Sequence, residues 1–89
     1  MTVERFVDDD RGFQRWLAKH WQGLVVNAYR KPTPDYLVLH KTDCDSLTRH
    51  EHYTTHDYIK VCSDRRFELE TWAKEEVGSE LTRCGECNP

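Results

Sequence analysis

Between Gly12 and Gln22 the apolar residues fall at Phe13, Trp16, Leu17 and Trp21, at offsets of three, four and eight. That is one face of a helix. Asp8, Asp9 and Asp10 precede the run, where carboxylates cap free N–H groups and complement the helix dipole. Gly23 stands where a C-terminal cap belongs. The spacing predicts a helix over Asp10–Gln22, with Trp16 and Trp21 in the core. The pattern then changes. Leu24 to Arg30 is rich in strand formers, Lys31-Pro32-Thr33-Pro34-Asp35 is a connection, and Tyr36 to His40 is a second strand. The two read as an antiparallel hairpin with a five-residue loop. Thr42 to Asp57 is polar and irregular, and Tyr58 to Cys62 is a third strand. Ser63 or Asp64 caps a second helix with a stripe of Leu69, Trp72, Ala73 and Val77. Gly78 ends it, and Ser79 to Arg83 leads to the C-terminus.

The expected fold is therefore α+β, a small three-stranded antiparallel sheet with two helices and a C-terminal zinc knuckle. Residues 1–9 read as an N-terminal tail and residues 10–89 as a single zinc-stabilised domain. On the second helix, Glu68, Glu70, Glu75, Glu76 and Glu80 are expected on an acidic outer face.

The reason for expecting zinc lies in the cysteines. The chain closes on Cys84-Gly85-Glu86-Cys87-Asn88-Pro89, and about forty residues upstream it carries His40-Lys41-Thr42-Asp43-Cys44. Thiolates and imidazoles are the donors that tetrahedral zinc prefers. Two local chelates, distant in sequence, close one loop around an ion. Cys44, Cys84 and Cys87 are the expected ligands, with His40 favoured over Cys62 for the fourth place. Both His40 and Cys62 end strands, and an all-thiolate site is chemically sound. A structural zinc adds about 10–16 kcal/mol of apparent folding free energy. At 89 residues that matters, because a hydrophobic core of this size is marginal alone.

Composition narrows the function. Apolar residues are 37% and charged residues 33% of the chain, and no run approaches the roughly 20 apolar residues that span a bilayer. Met1 to Phe6 lack the basic-then-apolar form of a secretion signal. The expected compartment is the cytoplasm, where cysteines are metal ligands more often than disulfides. The net charge is −3, whereas nucleic-acid binders carry an obvious basic excess. Arg15, Lys19, Arg30, Lys31 and Lys41 are the residues that could make a local basic patch. His50, His52 and His56 could form a second metal site, although a solvated polar loop is the plainer reading. No Ser-His-Asp set, phosphate-cradling glycine loop or carboxylate pair stands out, so no enzymatic activity is expected.

Leu39-His40 and Cys44, the strand end Val61-Cys62-Ser63, a helix ending at Gly78 and the terminal C-x-x-C followed by Asn88-Pro89 together resemble the metal-binding domain of the Ada DNA-repair family and its small stand-alone bacterial relatives. The resemblance spans Tyr36 to Pro89. It implies a zinc-stabilised α/β module associated with DNA. In that family the first residue of the upstream pair is a cysteine that accepts a methyl group from a DNA phosphotriester. Here that position is His40, and imidazole cannot serve as that acceptor. Three thiolates and one imidazole around a dication leave −1, against −2 for four thiolates, so the remaining sulfurs are less reactive. With Cys62 as fourth ligand the −2 would return. Glu86 also stands where the family carries basic residues. The expectation is a monomeric, non-enzymatic binding or adaptor module with Zn2+ bound. Its partner is left open between protein and nucleic acid, and the alternatives are a DNA-associated module and a reactive zinc-thiolate protein.

Overall fold

The computed structural model describes residues 3–47, 49 and 53–89. Its elements run β1 (Glu4–Phe6), α1 (Asp10–Lys19), β2 (Leu24–Tyr29), β3 (Leu37–Lys41), β4 (Tyr58–Ser63), α2 (Arg66–Trp72) and β5 (Thr82–Arg83). The strands form one mixed sheet in the order β1-β4-β2-β3-β5. The expected hairpin is present, with Val26 opposite Leu39 and Val25 opposite His40. The third expected strand, β4, pairs antiparallel with β2.

The sheet is wider than the three strands expected. Glu4–Phe6, read as tail, pairs antiparallel with β4. Thr82–Arg83 pairs parallel with β3. Runs of three and two residues are too short to display the alternation that marks a strand, so neither edge was visible in the pattern.

Alternation across the three long strands produces two faces. On one, Val26, Ala28, Leu37, Leu39, Ile59 and Val61 form a core with Leu69, Trp72 and Ala73 of the second helical segment. On the other, Val25 and Cys62 are covered by Phe13 and Trp16 of α1. The helices thus lie on opposite sides of the sheet.

α1 begins as expected. The Asp9 side chain accepts from the Gly12 amide at 2.9 Å. It ends earlier, at Lys19. Trp16 is buried, but Trp21 is 73% exposed, not in the core. The chain leaves the helix at His20, whose ring stacks on Trp16 and whose Nδ1 meets the Asp64 carboxylate at 2.9 Å. That contact ties the turn to the start of α2 and carries Trp21 beyond the helical face.

α2 starts after Ser63, whose hydroxyl oxygen accepts from the Arg65 amide at 3.0 Å. The same hydroxyl donates to Glu68 Oε1 at 2.5 Å. Glu68 is consequently buried and not part of the acidic outer face. A π-turn over Ala73–Val77 follows, and Gly78 closes it at φ 82°, donating its amide to Ala73. That left-handed conformation is the one glycine adopts without steric cost. Among the described residues, no helix is long and apolar enough to cross a membrane.

Candidate metal centre

His40, Cys44, Cys84 and Cys87 come together at the β3–β5 edge of the sheet. One ligand-type atom from each lies within 4.8 Å of the others. Three are buried and Cys87 is half-buried. All four cysteines are free thiols, so no disulfide competes for the sulfurs.

Each side chain arrives by a traceable route. His40 is carried by β3, and its ring falls on the α1 side of the sheet with Val25. The chain then turns back, with the Cys44 amide donating to the Lys41 carbonyl at 3.1 Å. This turn brings Cys44 under His40. A 3-10 turn over Asp45–Leu47 follows and buries Leu47 beside Cys44. From the other direction, β5 delivers Cys84. The register sets Arg83 beside Leu39, and the Cys84 amide donates to the Leu39 carbonyl at 2.9 Å. The knuckle closes when the Asn88 amide donates to the Cys84 carbonyl at 3.0 Å.

The sheet also explains why Cys62 is elsewhere. Val25 of β2 is opposite both His40 and Cys62, so the two contenders occupy one row with Val25 between them. Two strand spacings put them about 10 Å apart. β5 joins the sheet on the β3 side, which brings the C-terminal cysteines to His40. Cys62 is fully buried against the α1 core, and burial pushes its thiol pKa strongly upward. It behaves as a small core residue.

One sulfur pair has the separation expected around a tetrahedral ion. Zinc–thiolate bonds of about 2.3 Å place two sulfurs of a tetrahedron about 3.8 Å apart. Cys44 Sγ and Cys84 Sγ are separated by 3.8 Å. Donors already point at the sulfurs. The Glu86 amide approaches Cys84 Sγ at 3.4 Å, and the Lys41 amide approaches Cys87 Sγ at 3.4 Å. Such N–H groups stabilise thiolate charge.

The electrostatics follow these contacts. Burial alone would raise the Cys84 thiol, but the Cys87 and Glu86 amides, the Ser46 hydroxyl and Cys44 bring it down to about 7. Burial, reinforced by the crowding of Cys44 and Cys84, pushes Cys87 up to about 11 despite the Lys41 amide. Thiols grouped in this way could hold a metal ion in place of their protons. Burial, then the Lys60 charge, lowers the pKa of His40 against the pull of Glu86. That favours the neutral imidazole, the form that ligates metal.

One participant carried no signal in the spacing. The Ser46 hydroxyl lies 3.1 Å from Cys44 Sγ, 3.4 Å from His40 Nδ1 and 3.7 Å from Cys84 Sγ. It contacts three of the four candidate ligands. Only its position two residues after Cys44, inside the chelate turn, could have drawn attention to it.

The other expected residues are dispersed. His50 and His52 lie outside the described residues, and His56 borders a cavity on the sheet face. Of the basic residues, Arg30 donates to the Thr54 and His56 carbonyls and pairs with Asp8. It follows one end of β2, whereas Lys41 is opposite Leu24 at the other end. These two bases stand at opposite ends of the hairpin. No protein-family model, curated protein or solved structure matches the chain.

Proposed function

We propose that the His40, Cys44, Cys84 and Cys87 cluster holds one structural Zn2+, and that the chain is a small non-enzymatic binding module built around it. The observation that supports this most directly is the convergence of one imidazole and three thiols within 4.8 Å, with a sulfur pair at 3.8 Å. Soft thiolate donors with one imidazole select zinc among the common divalent ions. The burial of three of the four side chains supports a closed site, with every position on the ion taken by protein. An ion held this way orients the chain and leaves no place for a substrate or a reactive water. Three thiolates and one imidazole also leave a formal −1 on the complex, which moderates sulfur nucleophilicity.

The ion would join the end of β3 to the final six residues, and so fix β5 against the sheet. Thermal unfolding of the zinc-loaded protein, with and without a chelator of picomolar zinc affinity, tests this. Zinc-loaded protein melts cooperatively, and the chelated protein loses tens of degrees in Tm together with much of its circular dichroism signal. Identical melts in the two conditions would remove the structural role.

A further inference from the structure

A cavity of about 500 Å3 opens on the α1 side of the sheet, beyond the part of that face that α1 covers. The register explains its chemistry. Tyr29 of β2 pairs with Tyr58 of β4, and Tyr36 adjoins the same row, giving ring centroids 5.2–5.7 Å apart. The next row across the strands holds Asn27 beside Lys60. The row after it holds His40. The polar loop before β4 closes the far side with Tyr53. Three tyrosines, Tyr36, Tyr53 and Tyr58, give the walls an aromatic side, the floor carries the Lys60 cation, and His56 and Asp57 border the polar side.

That cation is the unusual element. Lys60 sits in the middle of a strand and is only 4% exposed. Its ammonium donates to Asn27 Oδ1 at 2.8 Å and to the Tyr53 carbonyl at 2.7 Å. Both acceptors are neutral. Among the described residues no carboxylate is within ion-pair distance of it, and it lies over the Phe13 and Tyr58 rings, 5.9 Å from each centroid. The carboxylate of Asp10, on the neighbouring helix, is hydrogen-bonded to Thr54 and the Tyr53 amide and favours the charged lysine only from a distance. A buried ammonium without a directly paired carboxylate is costly, and here it borders a space of ligand size. Burial costs of this kind are relieved when an anion binds beside the cation.

We propose that this cavity binds a small aromatic carboxylate. The carboxylate accepts from the Lys60 ammonium, and the ring packs among Tyr36, Tyr53 and Tyr58. The inference does not depend on the identity of the metal, because the lysine and the tyrosines belong to β2, β4 and the segments before β3 and β4. His40 borders both the cavity and the cysteine cluster, so an occupant would lie next to the metal.

The test is a titration of zinc-loaded, isotope-labelled protein with benzoate and indole-3-carboxylate, with benzamide and acetate as the neutral and non-aromatic comparisons, followed by NMR. At least one aromatic carboxylate is expected to bind at least ten-fold tighter than benzamide and acetate, with shifts centred on Asn27, Tyr36, Tyr53, Tyr58 and Lys60. Lys60→Met is expected to abolish the preference for the carboxylate over the amide without changing the zinc content. Should that variant fail to fold, Tyr58→Ala at the half-exposed rim is expected to weaken the aromatic carboxylate at least five-fold and leave acetate unchanged. Absence of binding by both carboxylates, equal binding of benzoate and benzamide, or shifts centred elsewhere would overturn the proposal. Because zinc content is read separately, loss of the ligand site and loss of the metal site are distinguishable.

Discussion

His40 and Cys62 flank Val25 in a single row across the sheet, yet only His40 stands beside the C-terminal cysteines. The consequence for substitution is asymmetric. His40→Ala removes a donor and is expected to weaken zinc binding at least ten-fold in competition with a chromophoric chelator. Cys62→Ser is expected to keep full zinc stoichiometry. It places a hydroxyl in an apolar setting and costs about 1–3 kcal/mol of stability, measured by urea unfolding. Loss of zinc from Cys62→Ser with retention in His40→Ala would reverse the assignment. Asp10 gives a pH-dependent case. Burial works against its carboxylate, but bonds from the Thr54 hydroxyl, the Thr54 and Tyr53 amides and the Thr55 hydroxyl outweigh it and hold its pKa below the ordinary 3.8. A carboxylate with a depressed folded pKa stabilises the protein above the unfolded value, and that contribution fades as pH falls through the folded value. Asp10→Ala is therefore expected to cost about 1–2 kcal/mol at neutral pH, and the gap from wild type to close below pH 3.8. A gap that stayed constant with pH would show that the charge is not responsible.

At the scale of elements, helical spacing found α1 and the stripe of α2 because those faces are long enough to repeat. It overextended α1, since the residue that stops the helix acts through a partner far along the chain. His20 turns toward Asp64, and spacing cannot register a contact across 44 residues. Trp16 and Trp21 test the correction. Trp16→Ala removes a buried ring and is expected to cost about 3–5 kcal/mol. Trp21→Ala is expected to change stability by less than about 0.5 kcal/mol. Equal losses in denaturant unfolding would mean that Trp21 packs after all. Glu68 shows the same limit, because its burial depends on the Ser63 hydroxyl five residues away. The polar centres of β2 and β4 were legible in principle. Asn27 and Lys60 interrupt otherwise apolar strands, and their register brings them together. The hydrogen bond between this polar pair in two neighbouring strands becomes visible only once the pairing is known.

For the whole molecule, the metal ligands were readable because chelate spacing is local, three residues between His40 and Cys44 and two between Cys84 and Cys87. The choice between His40 and Cys62 was not readable, since it depends on which side of the sheet receives β5. That side is β3, and the final residues lock there through the Cys84 amide and the Leu39 carbonyl. One ion would thus set the position of the last strand and, through His40, border the aromatic cavity. The most direct measurement is zinc K-edge X-ray absorption on the reconstituted protein at one equivalent of metal. The expected result is a four-coordinate site with three sulfurs at about 2.3 Å and one nitrogen at about 2.0–2.1 Å. A four-sulfur shell would make Cys62 a ligand, and a shell dominated by oxygen or nitrogen would show that the cysteine cluster does not hold the metal.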